Sequence, residues 1–302
     1  MTIEEKIKRE AIECGFDLCG ITSANHVAHD DQYRFETWLA NGFSADMAYM
    51  QRNIDKRICA QNLLEGAESV ICVALAYDIV IPPENSQCFI ASYACYEDYH
   101  SVMKKMLLRL SDFIRAELGT EVGFKACVDS VPILERAYAR NAGIGFIGKN
   151  RMLINPVYGS RLFLGELITT ALLSHDSPVD GSCGQCNKCL EACPTTALTA
   201  NGIDCRRCLS YHTIENKGTI PPEFTALTKK SIFGCDRCVD ACPFNQRNNS
   251  SSLLPIVKSG YSSDYIKEMD SGRFKRLFGT TPVARRGLER LKKHLDCKND
   301  VL

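Results

Sequence analysis

Cys183-Gly-Gln-Cys186-Asn-Lys-Cys189-Leu-Glu-Ala-Cys193-Pro194 is the stretch on which the fold of this chain turns. It reads C-x2-C-x2-C-x3-C-P, a spacing with which thiolates hold a 4Fe-4S cluster. A related run follows, where Cys208 precedes Cys235-Asp-Arg-Cys238-Val-Asp-Ala-Cys242-Pro243. In two-cluster domains the last cysteine of each run crosses to the other cluster. The spacing therefore predicts Cys183, Cys186, Cys189 and Cys242 on one cluster, and Cys193, Cys208, Cys235 and Cys238 on the second. Structural zinc also takes C-x2-C pairs, but it predicts two closed pairs rather than a repeated pattern ending in Cys-Pro. Cys205, three residues before Cys208, is the one rival for the last ligand position.

Outward from these runs, a chain of 302 residues suggests two domains at about 100 to 200 residues each. Met1-Thr-Ile-Glu-Glu-Lys-Ile-Lys-Arg-Glu starts a charged amphipathic helix, with neither an apolar signal region nor twin arginines. The best apolar run, Val70 to Tyr77, falls short of the ~20 residues of a membrane span and reads as a buried strand. These features predict a cytoplasmic chain with no membrane partner. Thiols stay reduced there, so the 17 cysteines are not a disulfide framework. Those outside the cluster set, among them Cys14, Cys72 and Cys127, mostly read as small core residues.

Net charge is zero, with 36 basic and 36 acidic residues, which argues against a nonspecific polyanion binder. The distribution is uneven: Ile203 to Leu302 holds 18 Lys and Arg against 11 Asp and Glu. Within it, Arg273-Phe-Lys-Arg-Leu-Phe, Arg285-Arg286 and Arg290-Leu-Lys-Lys read equally as a phosphate-holding surface and as solvated helix faces.

The fold class reads as α+β, in three segments. Residues 1–174 form an α/β unit, 175–250 the two-cluster ferredoxin-like domain, and 251–302 a helical basic tail. In the first segment we expect helices over Ile3 to Cys14 and Tyr33 to Ala40, and a strand from Ser69 to Tyr77. A long helix is expected from Tyr99 to Leu118, with Val102, Met106, Leu110, Phe113 and Ile114 inward and Gly119 as its stop. Strands over Val122 to Val128 and Arg161 to Leu173 follow. Gly143-Ile-Gly145-Phe-Ile-Gly148-Lys149-Asn150 imitates both a dinucleotide fingerprint and a phosphate loop. Those motifs need a strand before the glycines and a helix after them. Here the order is reversed: Ser130 and Pro132 suggest a helix start near Val131, and Gly143 suggests its end. The glycines can still let backbone approach a bulky cofactor.

Val128-Asp129-Ser130-Val-Pro-Ile-Leu-Glu135-Arg136, Ala142-Gly-Ile-Gly-Phe-Ile-Gly-Lys-Asn150, Phe163-Leu-Gly-Glu166-Leu, the cysteine runs and Arg206-Arg-Cys208-Leu-Ser210-Tyr211 together resemble the epoxyqueuosine reductase family in order and spacing, over roughly residues 1 to 290. The resemblance implies reduction of epoxyqueuosine to queuosine at the wobble position of tRNAs with a GUN anticodon. It implies two 4Fe-4S clusters and a cobalamin, held by an N-terminal domain like that of reductive dehalogenases. An external low-potential electron donor and a monomeric state go with it. The chain departs from many relatives in lacking a C-terminal helical-repeat extension, so tRNA contacts are expected from the cluster domain and the tail. It departs again at Ser92-Tyr93-Ala94-Cys95-Tyr96-Glu97-Asp98-Tyr99-His100, where relatives often carry Arg-Tyr-Ala-x-Gly-Arg-Asp-Tyr-His.

Epoxide removal needs electrons that no side chain supplies, and an acid for the leaving alkoxide. The resemblance makes Asp129 that acid, which requires a site that raises its pKa; the competing reading is a helix cap at Val131. For cobalamin the candidates are Arg57, Asp129, Gly148, Lys149, Asn150, Leu153 and Ser210. The motif D-x-H-x-x-G fails at Met103, so no histidine is expected beneath the cobalt, and His100 reads as structural. Lys217 is the candidate tRNA contact. The alternatives are a dehalogenase-like corrinoid enzyme and a non-catalytic ferredoxin-type electron carrier.

Overall fold

The computed structural model describes residues 1–199, 202–246 and 253–296. Parts of the cluster segment and of the tail, at 200–201, 247–252 and 297–302, lie outside the described residues. The first segment is built on strands β1 (Leu18–Ser23), β2 (Ser69–Ala76), β3 (Cys88–Ile90), β4 (Phe124–Cys127) and β5 (Leu162–Thr169). Four of them form one sheet in the order β1-β2-β5-β4, and every pairing is antiparallel.

All eight residues of β2 are buried, because both faces of the sheet are covered. Ile71, Val73 and Leu75 pack with Ile7 and Ala11 of helix α1 (Ile3–Glu13). Val70, Cys72 and Ala74 point the other way, toward Phe35 of α2 (His29–Ala40). This period of two explains an unbroken apolar run with two different partners. Thr2 and Glu5 form a capping box on α1.

Helix α3 (Tyr99–Leu118) ends at Gly119, whose φ of 110° suits glycine. Its buried stripe is Met103, Leu107, Leu110 and Ile114, one position on from the expected Val102 and Met106 at its start. The difference follows from the N-terminus, where the Asp98 side chain accepts from the His100 amide and sets the rotation of the first turn. Helix α4 (Glu135–Asn141) begins later than expected: neither Ser130 nor Asp129 caps it. Instead the Leu134 amide donates to the Arg57 carbonyl at 3.0 Å, so residues 130–133 form bends. Gly143 does follow its end, with φ of 75°. The glycine motif then forms a hairpin, with Phe146–Ile147 paired to Leu153–Ile154. A Cβ at Gly145 would meet the Ile154 carbonyl oxygen at 2.4 Å, so that glycine serves close strand approach rather than a nucleotide.

The cluster and tail segments add helices α5 (Leu209–Ile214), α6 (Pro222–Lys230), α7 (Ser271–Phe278) and α8 (Leu288–Asp296), and strands β6 (Ser231–Phe233) and β7 (Gly260–Tyr261). β6 and β7 flank β3 in a second sheet to which all three segments contribute. Arg161 ties the segments together again, donating to Asp240 Oδ1 at 2.6 Å and to the Asn245 carbonyl at 3.1 Å. Among the described residues no helix is long and apolar enough to cross a membrane.

Candidate active site

The cysteine runs fold into two thiol sets. Cys183, Cys186, Cys189 and Cys242 line one small apolar cavity with Asn150, Ile154, Pro243 and Phe244. Burial, then the charge of Cys183, raises the Cys189 thiol, and Cys242 answers chiefly to burial and then to Cys183 and Cys186 among the thiols. The second set is as self-contained. Burial raises Cys238 first, followed by the charges of Cys235, Cys208 and Cys193. Cys205 sits beside Cys208, and burial, then the charge of Cys208, raises its thiol. Cys193, Cys208, Cys235 and Cys238 thus lie near one another, as do Cys183, Cys186, Cys189 and Cys242. Among the described residues no three His, Cys, Asp or Glu side chains close on a single metal ion. A zinc site would need four ligands within about 2.3 Å of one point, whereas an iron–sulfur cube takes thiols spread around it. Backbone amides already serve these sulfurs: Lys149 N donates to Cys183 Sγ at 3.4 Å, and Ala197 N to Cys193 Sγ at 3.3 Å. The residues present fit two clusters.

Beside the first set lies a pocket of about 200 Å3. Tyr77, Tyr93, Tyr99 and Phe163 form an aromatic wall, Met152 and Leu153 come from the hairpin, and Asp129, Glu135 and Arg136 supply the charge. Tyr99 stacks between His100 and Phe163, with ring centroids 4.0 and 4.5 Å away.

Asp129 lies two residues past the end of β4 and has φ of 56°, an uncommon conformation for a non-glycine residue. Its Oδ2 lies 2.9 Å from His100 Nε2, and His100 Nδ1 lies 2.6 Å from Asp98 Oδ1. Arg285, from the tail, approaches Asp98 Oδ2 at 3.5 Å. The hydrogen bond from His100, reinforced by its charge, holds the Asp129 carboxyl below its ordinary 3.8 despite burial. Burial pulls His100 down, but its bonds to Asp129 and Asp98 outweigh that and raise it above 6.5. The sequence-based requirement for a raised aspartate is therefore corrected: Asp129 lies below its ordinary value and His100 above its own, because the two share a hydrogen bond. The capping reading also falls, because the carboxylate faces His100 and the pocket.

Of the residues named from sequence, Asp129 and Leu153 line this pocket. Gly148, Lys149 and Asn150 lie between it and the first thiol set; Lys149 Nζ donates to the Gly184 carbonyl and Asn187 Oδ1, both at 2.9 Å. Arg57 is buried and donates to the carbonyls of Tyr49 and Arg52, away from the aromatic wall. Ser210 is on α5, next to Cys208. Lys217 is exposed in the loop after α5, where Arg286 Nη2 donates to the Asn216 carbonyl at 3.0 Å. Sequence reasoning read His100 as structural and Arg285 only as part of a basic stretch, and gave Asp98 no role. The Asp-Tyr-His triplet was the available signal for the first and last; nothing local pointed Arg285 toward Asp98.

The pocket also fits a large conjugated ring. Its wall is aromatic, the hairpin glycines let backbone come close, and both nitrogens of His100 are taken by carboxylates, leaving none for a metal.

Comparison with known proteins gives consistent matches. Residues 182–245 match the family model described as "4Fe-4S double cluster binding domain", and residues 57–130 the one described as "Epoxyqueuosine reductase QueG, DUF1730". The epoxyqueuosine reductase of Leadbetterella byssophila is 39% identical over 98% of this chain and 98% of its own. The solved epoxyqueuosine reductase from Streptococcus thermophilus superposes with a TM-score of 0.89 at 33% identity, covering 98% of this chain and 80% of that one. A crystal structure of epoxyqueuosine reductase with an epoxyqueuosine-modified tRNA-Tyr stem loop gives 0.88 at 28% identity, over 97% and 80%.

Proposed function

We propose, from the premise that this chain belongs to the epoxyqueuosine reductase family, that it reduces the epoxide of epoxyqueuosine in tRNA, with Asp129 and His100 delivering the proton to the departing oxygen. The observation that carries this reading is the Asp129 carboxylate, exposed over about half its surface at the pocket and bonded behind to a histidine that retains its proton. Converting an epoxide to an alkene and water takes two electrons and two protons. A cobalamin at the aromatic wall, fed by the two clusters from an external low-potential donor, would supply the electrons. Tyr93, Tyr99, Met152 and Leu153 would hold it on one side, with the backbone of Gly148, Lys149 and Asn150 beside the first cluster; Arg57 and Ser210 remain candidates for its periphery. Asp98 and Arg285 orient the imidazole. We take the substrate to be tRNA with a GUN anticodon, and the enzyme to act as a cytoplasmic monomer.

Deletion of the gene in its host, followed by mass spectrometry of tRNA nucleosides, tests this reading. Epoxyqueuosine should accumulate and disappear on re-expression. Unchanged queuosine in a host with no second reductase would overturn it.

The pH dependence has a defined sign. His100 keeps its proton above pH 6.5, so kcat should hold through that value and fall only as pH rises through the raised histidine pKa. In His100→Gln that alkaline limb should vanish along with most of the rate. The same pair links to stability: the His100 share is lost as pH rises through its raised value, and the Asp129 share as pH falls through its lowered one.

For tRNA, the bridge between Arg286 and the Asn216 carbonyl supports Lys217 and Arg286 as neighbouring phosphate contacts. On α7, Phe274 and Phe278 are buried while Arg273, Lys275 and Arg276 face outward. Lys217→Ala should raise KM for a tRNA stem loop several-fold with kcat unchanged, and lower the slope of log affinity against log salt by about one. An unchanged slope would remove Lys217 from the interface.

A further inference from the structure

Behind the Asp129 loop are two carboxyl groups that the proton path above does not use. Glu135 Oε1 accepts a hydrogen bond from the Asp129 amide at 2.6 Å. Glu166 is wholly buried in the middle of β5, and neither of its carboxyl oxygens has a hydrogen-bond partner. Its strand neighbours Leu164 and Ile168 pack on the sheet face that carries α4, together with Cys72 and Cys127, which lie opposite Glu166 on β2 and β4. Glu166 is thus on the face over which Glu135 begins its helix. A buried carboxyl without a partner costs several kcal/mol if charged, so it stays protonated.

We propose that Glu135 is a positioning residue that clamps the Asp129 amide, standing over the sheet face on which the neutral Glu166 is buried. This rests on the reading of Asp129 as the proton outlet. The reason for a clamp lies in the backbone: φ of 56° at a non-glycine residue persists only when surrounding contacts over-determine it. His100 fixes the Asp129 side chain and Glu135 fixes its amide, so the carboxylate is aimed from both ends. The division of charge agrees. Burial, and then Glu135 and Asp129, raise Glu166 well above 4.5, while burial and then Asp129 push Glu135 up to about 7. The groups facing Glu135 are Asp129, His100 and Tyr99 across the pocket, Arg136 beside it, Glu166 on β5, and Cys72 and Cys127 on the flanking strands. As pH falls through about 7, Glu135 takes up a proton and its bond to the Asp129 amide loses its charge assistance.

The test is amide hydrogen exchange of the 127–135 segment in the cofactor-loaded protein, read beside kcat and KM. Glu135→Ala should raise exchange at the Asp129 amide at least tenfold and lower kcat at least tenfold, with KM for the tRNA stem loop, iron and cobalamin within about twofold of wild type. Glu135→Gln keeps an accepting oxygen, so protection should survive and lose the decline that wild type shows below pH 7. Unchanged exchange in Glu135→Ala overturns the clamp. So does a Glu135→Gln protein that keeps the wild-type decline, which decides the matter if the alanine variant does not fold. Exchange needs no turnover, so a wild-type protein that fails to reduce epoxyqueuosine would sink the functional reading and leave the clamp standing.

Discussion

Asp129→Ala should lose roughly 100- to 10,000-fold in kcat, the range that positioned acids contribute, while iron and cobalamin contents stay as in wild type. The carboxylate touches neither thiol set, so its removal leaves the electron path intact and takes away only the outlet for the His100 proton. Asp129→Asn makes the stricter case. The amide oxygen can still accept from His100 Nε2 at the observed 2.9 Å, and the side chain occupies the same space, but it cannot pass a proton on. We expect it to be as inactive as the alanine variant. An asparagine variant that kept a third or more of wild-type kcat would mean that the proton reaches the substrate by another path.

Cys208→Ala should halve the iron bound per chain and abolish turnover, whereas Cys205→Ala should do neither. The two cysteines are three residues apart and bracket one short helical turn, so spacing alone leaves them equal. The fold separates them: Cys208 acts on Cys235 and Cys238, while Cys205 is buried against Phe43, whose carbonyl accepts its amide at 2.9 Å. Loss of one thiolate from a four-thiolate cage exposes an iron and breaks the one-electron route. Iron analysis and visible absorbance of anaerobically purified protein check this. Retention of full iron in Cys208→Ala with loss in Cys205→Ala would move the ligand assignment to Cys205.

Much of this molecule was readable without coordinates, for reasons that differ by element. The candidate cluster ligands were readable because a C-x2-C-x2-C run places three thiols within one or two turns of backbone, and local geometry suffices to bring them together. Strand β2 and helix α3 were readable because seven apolar residues in a row, Val70 to Ala76, and a twenty-residue amphipathic stretch closed by Gly119, leave few other solutions. β1 was missed, since Leu18–Ser23 mixes cysteine, glycine and threonine and owes its strand conformation to pairing with β2. The helix over 131–134 was wrongly expected, because Ser130 and Pro132 are good local start signals and a tertiary bond from Leu134 to Arg57 overrode them.

The sequence by itself determined the candidates for the cofactor-bearing half of the chemistry: eight thiols in two sets, and the resemblance that picked out Asp129. Only the tertiary structure decided what surrounds that aspartate. His100 meets it across 29 positions, Arg285 steadies Asp98 from the tail, and Glu166 is buried on the sheet face that α4 covers. Those contacts carry no local signal. A side chain's protonation state is set by what surrounds it in space, and the surroundings of Asp129 come from segments that the chain keeps far apart until it folds.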